Sequence, residues 1–539
     1  MIIEKVTLMN ARTFILSIVA ALCALNAGAQ SSDAVLRDKI TSAVMKVYDE
    51  ELTKNPNDYN TLFARAHQHF YNGEYVSALA DVNQAILLTP KSDKELRFDE
   101  HILRARISDA RMDYAGALSD LQMAQELEPK SLACTDLIAK TNLKAGNLNA
   151  AEKAFKAILR AESMNYDAMY GLAQVELARG NNQAAIEQVD KAVGLFHAEP
   201  QVYVNRADIY SRQGNVEAAV NNLLRGMTVG DGGVAAQRLF ELSDVHYDEV
   251  MRSLAALADA SSDAGTYRYL RANIAMDHLH FGQALSDFNY IQRNNLYGSH
   301  GMYNNMAKCY LELGRFDDAL NYANQALSMT SSEPEYYLVK ALATFYAGDG
   351  NNHDDAMQVL EECSAIAPQY VPMLMTKAAL LVAKGQENEA LGYLNAAVAN
   401  EPDNAQALMT RGLLLKKLDL ANLAVKDFNT MILLSDESFD LKGLALSELG
   451  RDNEALKWLN DITRVQLPGG ENFYYAAVLM AMRGDNFKAM EYVQKALDNG
   501  FGSVYQLKYD VLSLVGLSSL RSDPDFDLLI EKAQQNFSF

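Results

Sequence analysis

Apolar residues recur with helical spacing along most of the chain, in short stretches separated by turn signals. The stretch from Met302 to Met329 is typical, because its apolar residues stand three or four positions apart on both sides of Gly314. Each side is roughly 12 to 15 residues long, which is too short for a helix that is stable alone. A glycine between them can take the left-handed conformation that ends the first helix. The pattern therefore predicts two antiparallel helices joined by a tight turn.

This pattern repeats along the chain with small residues at fixed places. The first small residue of each copy is Ala66, Ala105, Ala139, Ala173, Ala207, Ala272, Ala307, Ala341, Ala378, Gly412, Gly443 or Ala477. A second alanine follows twelve residues later, except in one copy, where an insertion moves it to Ala356. Nine copies have a glycine between the two, and the other three have Met112, Leu279 and Asp419. Small side chains let two helix axes approach to the close end of the usual range of about 8–10 Å, so we expect the helices to cross there.

Each predicted pair leaves an apolar face that only the next pair can cover. Most copies follow one another at intervals of 34 residues, a period typical of stacked helical repeats. We therefore predict an all-α protein, a superhelical solenoid of antiparallel helix pairs with about twelve units and one degenerate unit.

The spacing of the copies predicts how the chain is divided. Between Ala207 and Ala272 the interval is 65 residues, nearly two periods. We expect an N-terminal repeat block at 57–231, a degenerate repeat or hinge at 232–265, and a C-terminal repeat block at 266–500. One capping helix is expected at 30–56 and capping helices at 501–539, where Asp523 and Pro524 form a helix start signal.

Residues 1–29 have the features of a secretory signal peptide. Arg12 precedes an apolar stretch that ends near Leu25, and Ala27, Gly28 and Ala29 follow in the small-residue pattern of a cleavage site. The stretch is shorter than the roughly 20 residues that a membrane-spanning helix needs. Leu22 stands before Cys23 where lipoprotein processing requires a small residue, which argues against a lipid anchor. We expect an exported protein, periplasmic or associated with the outer membrane, with no direct membrane span.

The charge and the motifs exclude several classes of function. The net charge of −21 disfavours nucleic acid, because binding it requires a basic face. The four cysteines form no CxxC pair, and the nine histidines show no metal-ligand spacing. Phosphate loops and hydrolase motifs are missing from the sequence, and the repeats take up nearly the whole chain. We predict no enzyme activity, no catalytic residues, no cofactor and no metal site.

The repeat closely resembles the tetratricopeptide repeat, and the chain resembles such repeat proteins of the bacterial cell envelope. The small, tyrosine-like, small and small positions of that family fall on Ala307, Tyr310, Ala319 and Ala326. The resemblance implies that the first helices of the pairs line a concave groove. The resemblance does not extend to the site with which members of the family bind the tails of chaperones. The first groove position of that site is occupied here by Phe63, Ile102 and Asp136.

Groove-side positions carried over from this resemblance give the candidate binding residues. They are apolar in the first repeat and again in the C-terminal block: Phe63, Phe70, Tyr71, Leu338, Leu342, Phe345, Tyr346, Met375, Met409, Leu413 and Tyr474. Methionine-rich surfaces of this kind adapt to a partner segment. In the alternative interpretation, the superhelix closes on itself and these side chains pack against neighbouring helices. Both interpretations stay open at this point.

The favoured function is a non-catalytic interaction scaffold or adaptor of the bacterial periplasm or envelope, which binds a protein or peptide partner in the groove. An envelope complex is the expected setting. The alternative is a glycan-binding outer-membrane protein, related to the starch-uptake proteins that also contain these repeats.

Overall fold

The computed structural model describes residues 44–230, 232–296, 298–347, 352–433, 439–464, 469–510 and 513–536. These residues are largely α-helical and contain no strand. Residues 44–54 form the first described helix, α1. The predicted signal peptide lies outside the described residues, as does most of the predicted N-terminal capping segment before α1.

Twelve helix pairs follow α1, one for each predicted repeat, and they confirm the predicted all-α solenoid architecture. Five precede a long helix: α2–α3 (Tyr59–Tyr71, Tyr75–Leu88), α4–α5 (Lys94–Ala110, Tyr114–Leu127), α6–α7 (Leu132–Lys144, Leu148–Ala161), α8–α9 (Tyr166–Ala178, Asn182–Leu195) and α10–α11 (Pro200–Arg212, Val216–Met227). The long helix is α12 (Gly233–Ala260).

Seven pairs follow α12 in the described residues. They are α13–α14 (Ala264–Asp277, Phe281–Arg293), α15–α16 (His300–Glu312, Phe316–Met329), α17–α18 (Pro334–Ala347, His353–Ile366), α19–α20 (Val371–Ala383, Glu387–Asn400), α21–α22 (Ala405–Lys417, Ala421–Leu433), α23–α24 (Phe439–Glu448, Asp452–Ile462) and α25–α26 (Glu471–Met482, Asn486–Asp498). A π-helix at Tyr505–Tyr509 and a last helix, α27 (Pro524–Asn536), complete the fold.

The turn inside each pair requires a left-handed residue. Eight of the predicted glycines have φ between +71° and +80°: Gly73, Gly146, Gly180, Gly214, Gly314, Gly385, Gly450 and Gly484. The three residues that replace glycine, Met112, Leu279 and Asp419, have φ of +59° to +61°. This conformation costs a residue with a Cβ roughly 1–2 kcal/mol. The left-handed backbone conformation is therefore kept in the three repeats that have no glycine at this position.

The small residues lie where the two helices of a pair cross, as the sequence predicts. Ala66, Ala139 and Ala307 are fully buried. At Gly443 a Cβ would stand 2.0 Å from the Trp458 ring of the second helix. Gly412 meets Phe428 at 2.6 Å in the same way. The aromatic ring of the second helix thus fills the space that the missing side chain leaves.

An ion pair recurs inside four of the repeats. An arginine just before the first small residue binds an aspartate sixteen positions later, in Arg65–Asp81, Arg104–Asp120, Arg271–Asp287 and Arg411–Asp427. Both side-chain oxygens of each aspartate accept from the guanidinium, in the bidentate geometry that arginine favours. The aspartates are buried, so the pair also fixes how the two helices face each other.

The chain divides into two compact units, with the boundary between Leu239 and Phe240. We call these unit 1 and unit 2. The boundary falls inside α12, which has one non-helical residue, His246, with φ −130° and ψ 44°. The structure thus places a kinked helix in the segment predicted as a degenerate repeat or hinge. The hinge interpretation stays a prediction.

Candidate functional site

The first helices of the five pairs of unit 1 line an open cavity of about 1180 Å³, which we call groove 1. The side chains that define it are Phe70 of α2, Arg106 of α4, Lys140 and Lys144 of α6, Tyr170 and Gln174 of α8, and Gln201, Asn205 and Arg212 of α10. Polar and charged groups therefore stand beside apolar side chains such as Leu137 and Phe155 on a surface that five successive repeats build together.

The repeat places these side chains in the groove by register. Arg106, Lys140 and Gln174 each come one residue after the small residue of their repeat. Lys144 and Arg212 come five residues after it, about one helical turn further along the same face. Because the small residue faces the second helix, the residue that follows it turns toward the groove.

The basic side chains of groove 1 differ in the contacts that they make. Arg106 lies over the Phe70 ring, with its guanidinium carbon 5.0 Å from the ring centroid. Lys140 is 2.7 Å from an Asp136 oxygen, and its side chain remains 49% exposed. Lys144 binds Asp109, which lies one repeat earlier. Arg212 is exposed. Cationic groups thus reach the groove from three of its helices.

Two titratable side chains at this surface are uncharged near neutral pH. Burial, with the nearby Asp208 carboxylate, raises the pKa of Tyr170 to about 12, so it presents a neutral hydroxyl. Burial and the positive charge of Arg106 lower the pKa of His67. The positive charge of the groove therefore comes from its lysine and arginine side chains.

The predicted residues of the first repeat form an aromatic cluster at one end of groove 1. Phe70 lines the groove itself. The His67 ring centroid is 6.2 Å from that of Phe63 and 4.8 Å from that of Tyr71. Tyr71 is 48% exposed, whereas Phe63 and Phe70 are half-buried. These three side chains are accessible at least in part, and their role in binding stays a prediction.

The predicted residues of unit 2 have different surroundings. Phe345, Tyr346, Met409 and Tyr474 are at most 7% exposed. The other four, Leu338, Leu342, Met375 and Leu413, are half-buried and pack against the same core. That core also contains apolar side chains from beyond the last repeat, namely Phe501, Val504, Leu507, Val515, Leu517 and Leu520.

The chain's own C-terminal segment covers these residues. We call residues 501–510 and 513–520 the C-terminal segment. The Phe501 ring stacks on Tyr474 with centroids 4.7 Å apart, and Tyr505 meets Tyr346 edge-on at 5.2 Å. Tyr509 lies against Phe316 of α16 at 5.0 Å. In this arrangement a partner reaches Tyr346 and Tyr474 only if the C-terminal segment leaves. Binding by them stays a prediction.

Two carboxyl groups are enclosed between the C-terminal segment and the repeats. Ser503 Oγ donates to Glu312 Oε2, and burial raises the pKa of Glu312 to about 7. Asp510 Oδ1 accepts from the Ser513 amide at 3.1 Å and from the Tyr505 hydroxyl at 3.3 Å. Burial raises the pKa of Asp510 to about 6. When the segment is in place, both groups keep their proton to a higher pH than an exposed carboxyl group does.

We expect the stability of unit 2 to fall as pH rises from 5 to 8, more in the wild type than in Glu312→Gln. The pKa of Glu312 is raised above its ordinary 4.5, so its contribution is complete below that pH and is lost as pH passes about 7. The amide of the variant does not titrate. Denaturant unfolding followed by the fluorescence of Trp458, the one tryptophan, measures this. If the stability of unit 2 changed with pH in the same way in both proteins, this prediction would be wrong.

One described cluster has the composition of a metal site. Asp244, Asp277 and His278 have possible ligand atoms within 4.8 Å of one another. His278 Nε2 already lies 2.9 Å from the Ser243 hydroxyl. Burial lowers the pKa of His278. The cluster alone does not define a metal site.

Comparisons with known proteins confirm the repeats. Models of the tetratricopeptide repeat family match residues 137–201, 349–413, 200–228 and 300–333. The chain is 24% identical over 326 residues to DnaJ homolog subfamily C member 3 of Gallus gallus, which covers 54% of this chain and 64% of that protein. The chain therefore spans less than two thirds of the length of this relative. Tetratricopeptide repeats act as protein-interaction modules, and the chain contains them.

Solved structures with similar folds include the Naa15/Naa10 complex bound to HypK-THB. It aligns with a TM-score of 0.32 and 14% identity, over 94% of this chain and 95% of that one. A tetratricopeptide repeat protein from Parabacteroides merdae aligns with a TM-score of 0.24 and 16% identity, over 46% of this chain and 99% of that one. Among the described helices, none combines the length and the apolar character that crossing a membrane requires.

Sequence reasoning missed most of groove 1. Phe70 was among the candidate binding residues, but Arg106, Lys140, Lys144, Gln174 and Arg212 were not. The positions one and five residues after each small residue carry the signal. Read in register across repeats two to five, they place cations at four of eight positions. A search for apolar side chains alone does not find these cationic positions.

Proposed function

We propose that this protein is a non-catalytic scaffold that binds a segment of another polypeptide in groove 1. One observation carries the proposal: five successive first helices build an open cavity of about 1180 Å³. Among the corresponding side chains of unit 2, Tyr346 and Tyr474 are buried against the C-terminal segment. A concave surface built by successive repeats suits a polypeptide segment, which can make similar contacts with each repeat in turn.

The chemistry of groove 1 supports a polypeptide as the ligand. The Gln174 and Gln201 amides can donate to and accept from a peptide main chain. Tyr166 and Tyr170 add aromatic surface with hydroxyl groups, which is common where proteins bind one another. This combination provides main-chain hydrogen bonds together with side-chain contacts.

A photo-crosslinking experiment tests this function. The full chain carries benzoylphenylalanine in place of Tyr170, inside groove 1, or in place of Met123, which is 44% exposed on α5. After irradiation in an extract of the source cells, we expect discrete polypeptide adducts from position 170 and none of the same mass from position 123. Equal adducts from both positions, or none from position 170, would reject the proposal.

The glycan alternative is tested in the same preparation. If oligosaccharides added in excess suppressed the adducts at position 170, glycans would compete with the polypeptide for the groove. We expect the adducts to be unaffected.

We also propose, from the sequence alone, that the chain is exported and acts in the periplasm or at the outer membrane of a bacterium, as part of an envelope complex. The signal-like pattern of residues 1–29 supports this. N-terminal sequencing of the protein from fractionated cells is expected to begin near Gln30, and an intact N-terminus in the cytoplasm would oppose it.

A further inference from the structure

Groove 1 has the opposite charge balance to the chain as a whole. The protein contains 69 acidic and 48 basic residues. Among the side chains that line groove 1, four are cationic and two are carboxylates, Asp109 and Asp167. Asp109 is already bound by Lys144 and by the Thr141 hydroxyl, which lies 3.3 Å away. Lys140 and Lys144 are paired with Asp136 and Asp109, so the remaining charges of the described lining are Arg106, Arg212 and Asp167. The groove therefore keeps a positive balance within an acidic protein, and its two arginines supply that balance.

The two arginines of groove 1 are available to a ligand. Elsewhere in the described repeats, arginines form ion pairs with a carboxylate of their own or a neighbouring helix. Arg104 pairs with Asp120 in this way, and Arg206 pairs with Asp190. No described carboxylate pairs with Arg106 or Arg212. Arg106 lies over the Phe70 ring, and no hydrogen bond or ion pair among the described residues uses its N–H groups.

Lysines and amides stand between the two arginines along the repeats. Lys140 and Lys144 come from α6, and Gln174 comes from α8, so they lie on helices between α4 and α10. A ligand that reached from Arg106 to Arg212 would pass all three. Carboxylate groups would add charge-assisted hydrogen bonds at each end, and the amide could hold the main chain between them.

We propose that groove 1 selects a polypeptide segment rich in internal aspartate and glutamate side chains, with Arg106 and Arg212 as the two carboxylate-binding groups. This inference rests on the proposed function and specifies the chemistry of its partner. Charge complementarity also predicts that an acidic segment is steered into the groove, against the repulsion of the remaining acidic surface.

Synthetic peptides test the proposal on the full chain. Three peptides of about ten residues, which extend over roughly 33 Å, carry glutamate, glutamine or lysine at alternate positions. Acetylated and amidated ends remove the terminal charges, so a free C-terminal carboxylate cannot cause binding. Fluorescence anisotropy at low salt is expected to give the glutamate peptide a Kd at least about tenfold lower than that of the glutamine peptide. The preference is expected to shrink as salt rises.

Matched charge reversals assign the effect to the two arginines. The variant R106E/R212E is expected to lose the preference for the glutamate peptide. The control K153E/K191E reverses two exposed cations of α7 and α9 that do not line the groove, and it should keep the preference. Circular dichroism confirms that both variants are folded.

The proposal would be overturned by equal Kd values for the glutamate and glutamine peptides, or by an equal loss of the preference in both variants. Tighter binding of the lysine peptide would do the same. In each of these cases polypeptide adducts at position 170 would still support the scaffold function, so the two failures can be distinguished.

Discussion

Replacing Phe501 with alanine is expected to lower the free energy of unfolding of unit 2 by about 3 to 5 kcal/mol. Phe501 is fully buried, and its ring stacks on Tyr474 at 4.7 Å. The substitution removes a large apolar side chain and leaves a cavity that the packed helices fill only in part. The result matters for function because it measures how firmly the C-terminal segment covers the predicted binding residues of unit 2.

Phe487→Ala is the matched control, because Phe487 is 79% exposed on α26. We expect it to change stability by at most about 0.5 kcal/mol. Denaturant unfolding followed by Trp458 fluorescence reports on unit 2 in both variants. If Phe501→Ala were as mild as Phe487→Ala, the C-terminal segment would be loosely held, and the apolar residues beneath it would be open to a partner.

Gly443→Ala is expected to destabilise unit 2, although alanine is the better helix former. A methyl group at this position would stand 2.0 Å from a ring carbon of Trp458, which is itself buried. Overpacking of this kind costs about 1–3 kcal/mol, whereas the gain in helix propensity is at most about 1 kcal/mol. The cost of the clash should therefore exceed the gain in helix propensity, so that the Gly443→Ala variant is less stable than the wild type.

Gly392→Ala tests the same substitution where no clash exists. Gly392 lies inside α20, and a Cβ there meets nothing within 4 Å. We expect this variant to be more stable than the wild type by up to about 1 kcal/mol. Opposite signs for the two variants, measured by urea unfolding, would establish that small residues are needed only at the helix crossings. Stabilisation by both would refute this account of the repeat.

Local periodicity was sufficient to predict the fold. The small residues and the turn position recur in every copy, so each repeat gives the same evidence for a helix pair. Even Met112, Leu279 and Asp419 were placed correctly at the turn, because the spacing on either side of them is preserved. Composition and repeat phase thus determine helix bounds and packing within a pair.

Contacts between distant parts of the chain could not be predicted in this way. Ser503 binds Glu312 across 191 positions, and Tyr505 meets Tyr346 across 159. No period in the sequence relates the C-terminal segment to these first helices. The apolar groove positions of unit 2 therefore had two interpretations, an open groove or self-packing, and only the structure shows what lies against them.

The most direct test of the central claim compares two positions of the photo-crosslinker on the full chain. Benzoylphenylalanine replaces Tyr170 in groove 1 in one protein and Tyr346 beneath the C-terminal segment in the other. Mass spectrometry of the adducts is expected to find a second polypeptide bound at position 170. At position 346 it should find only an internal link to the chain's own residues near Tyr505. A second polypeptide at position 346, with none at position 170, would contradict the account.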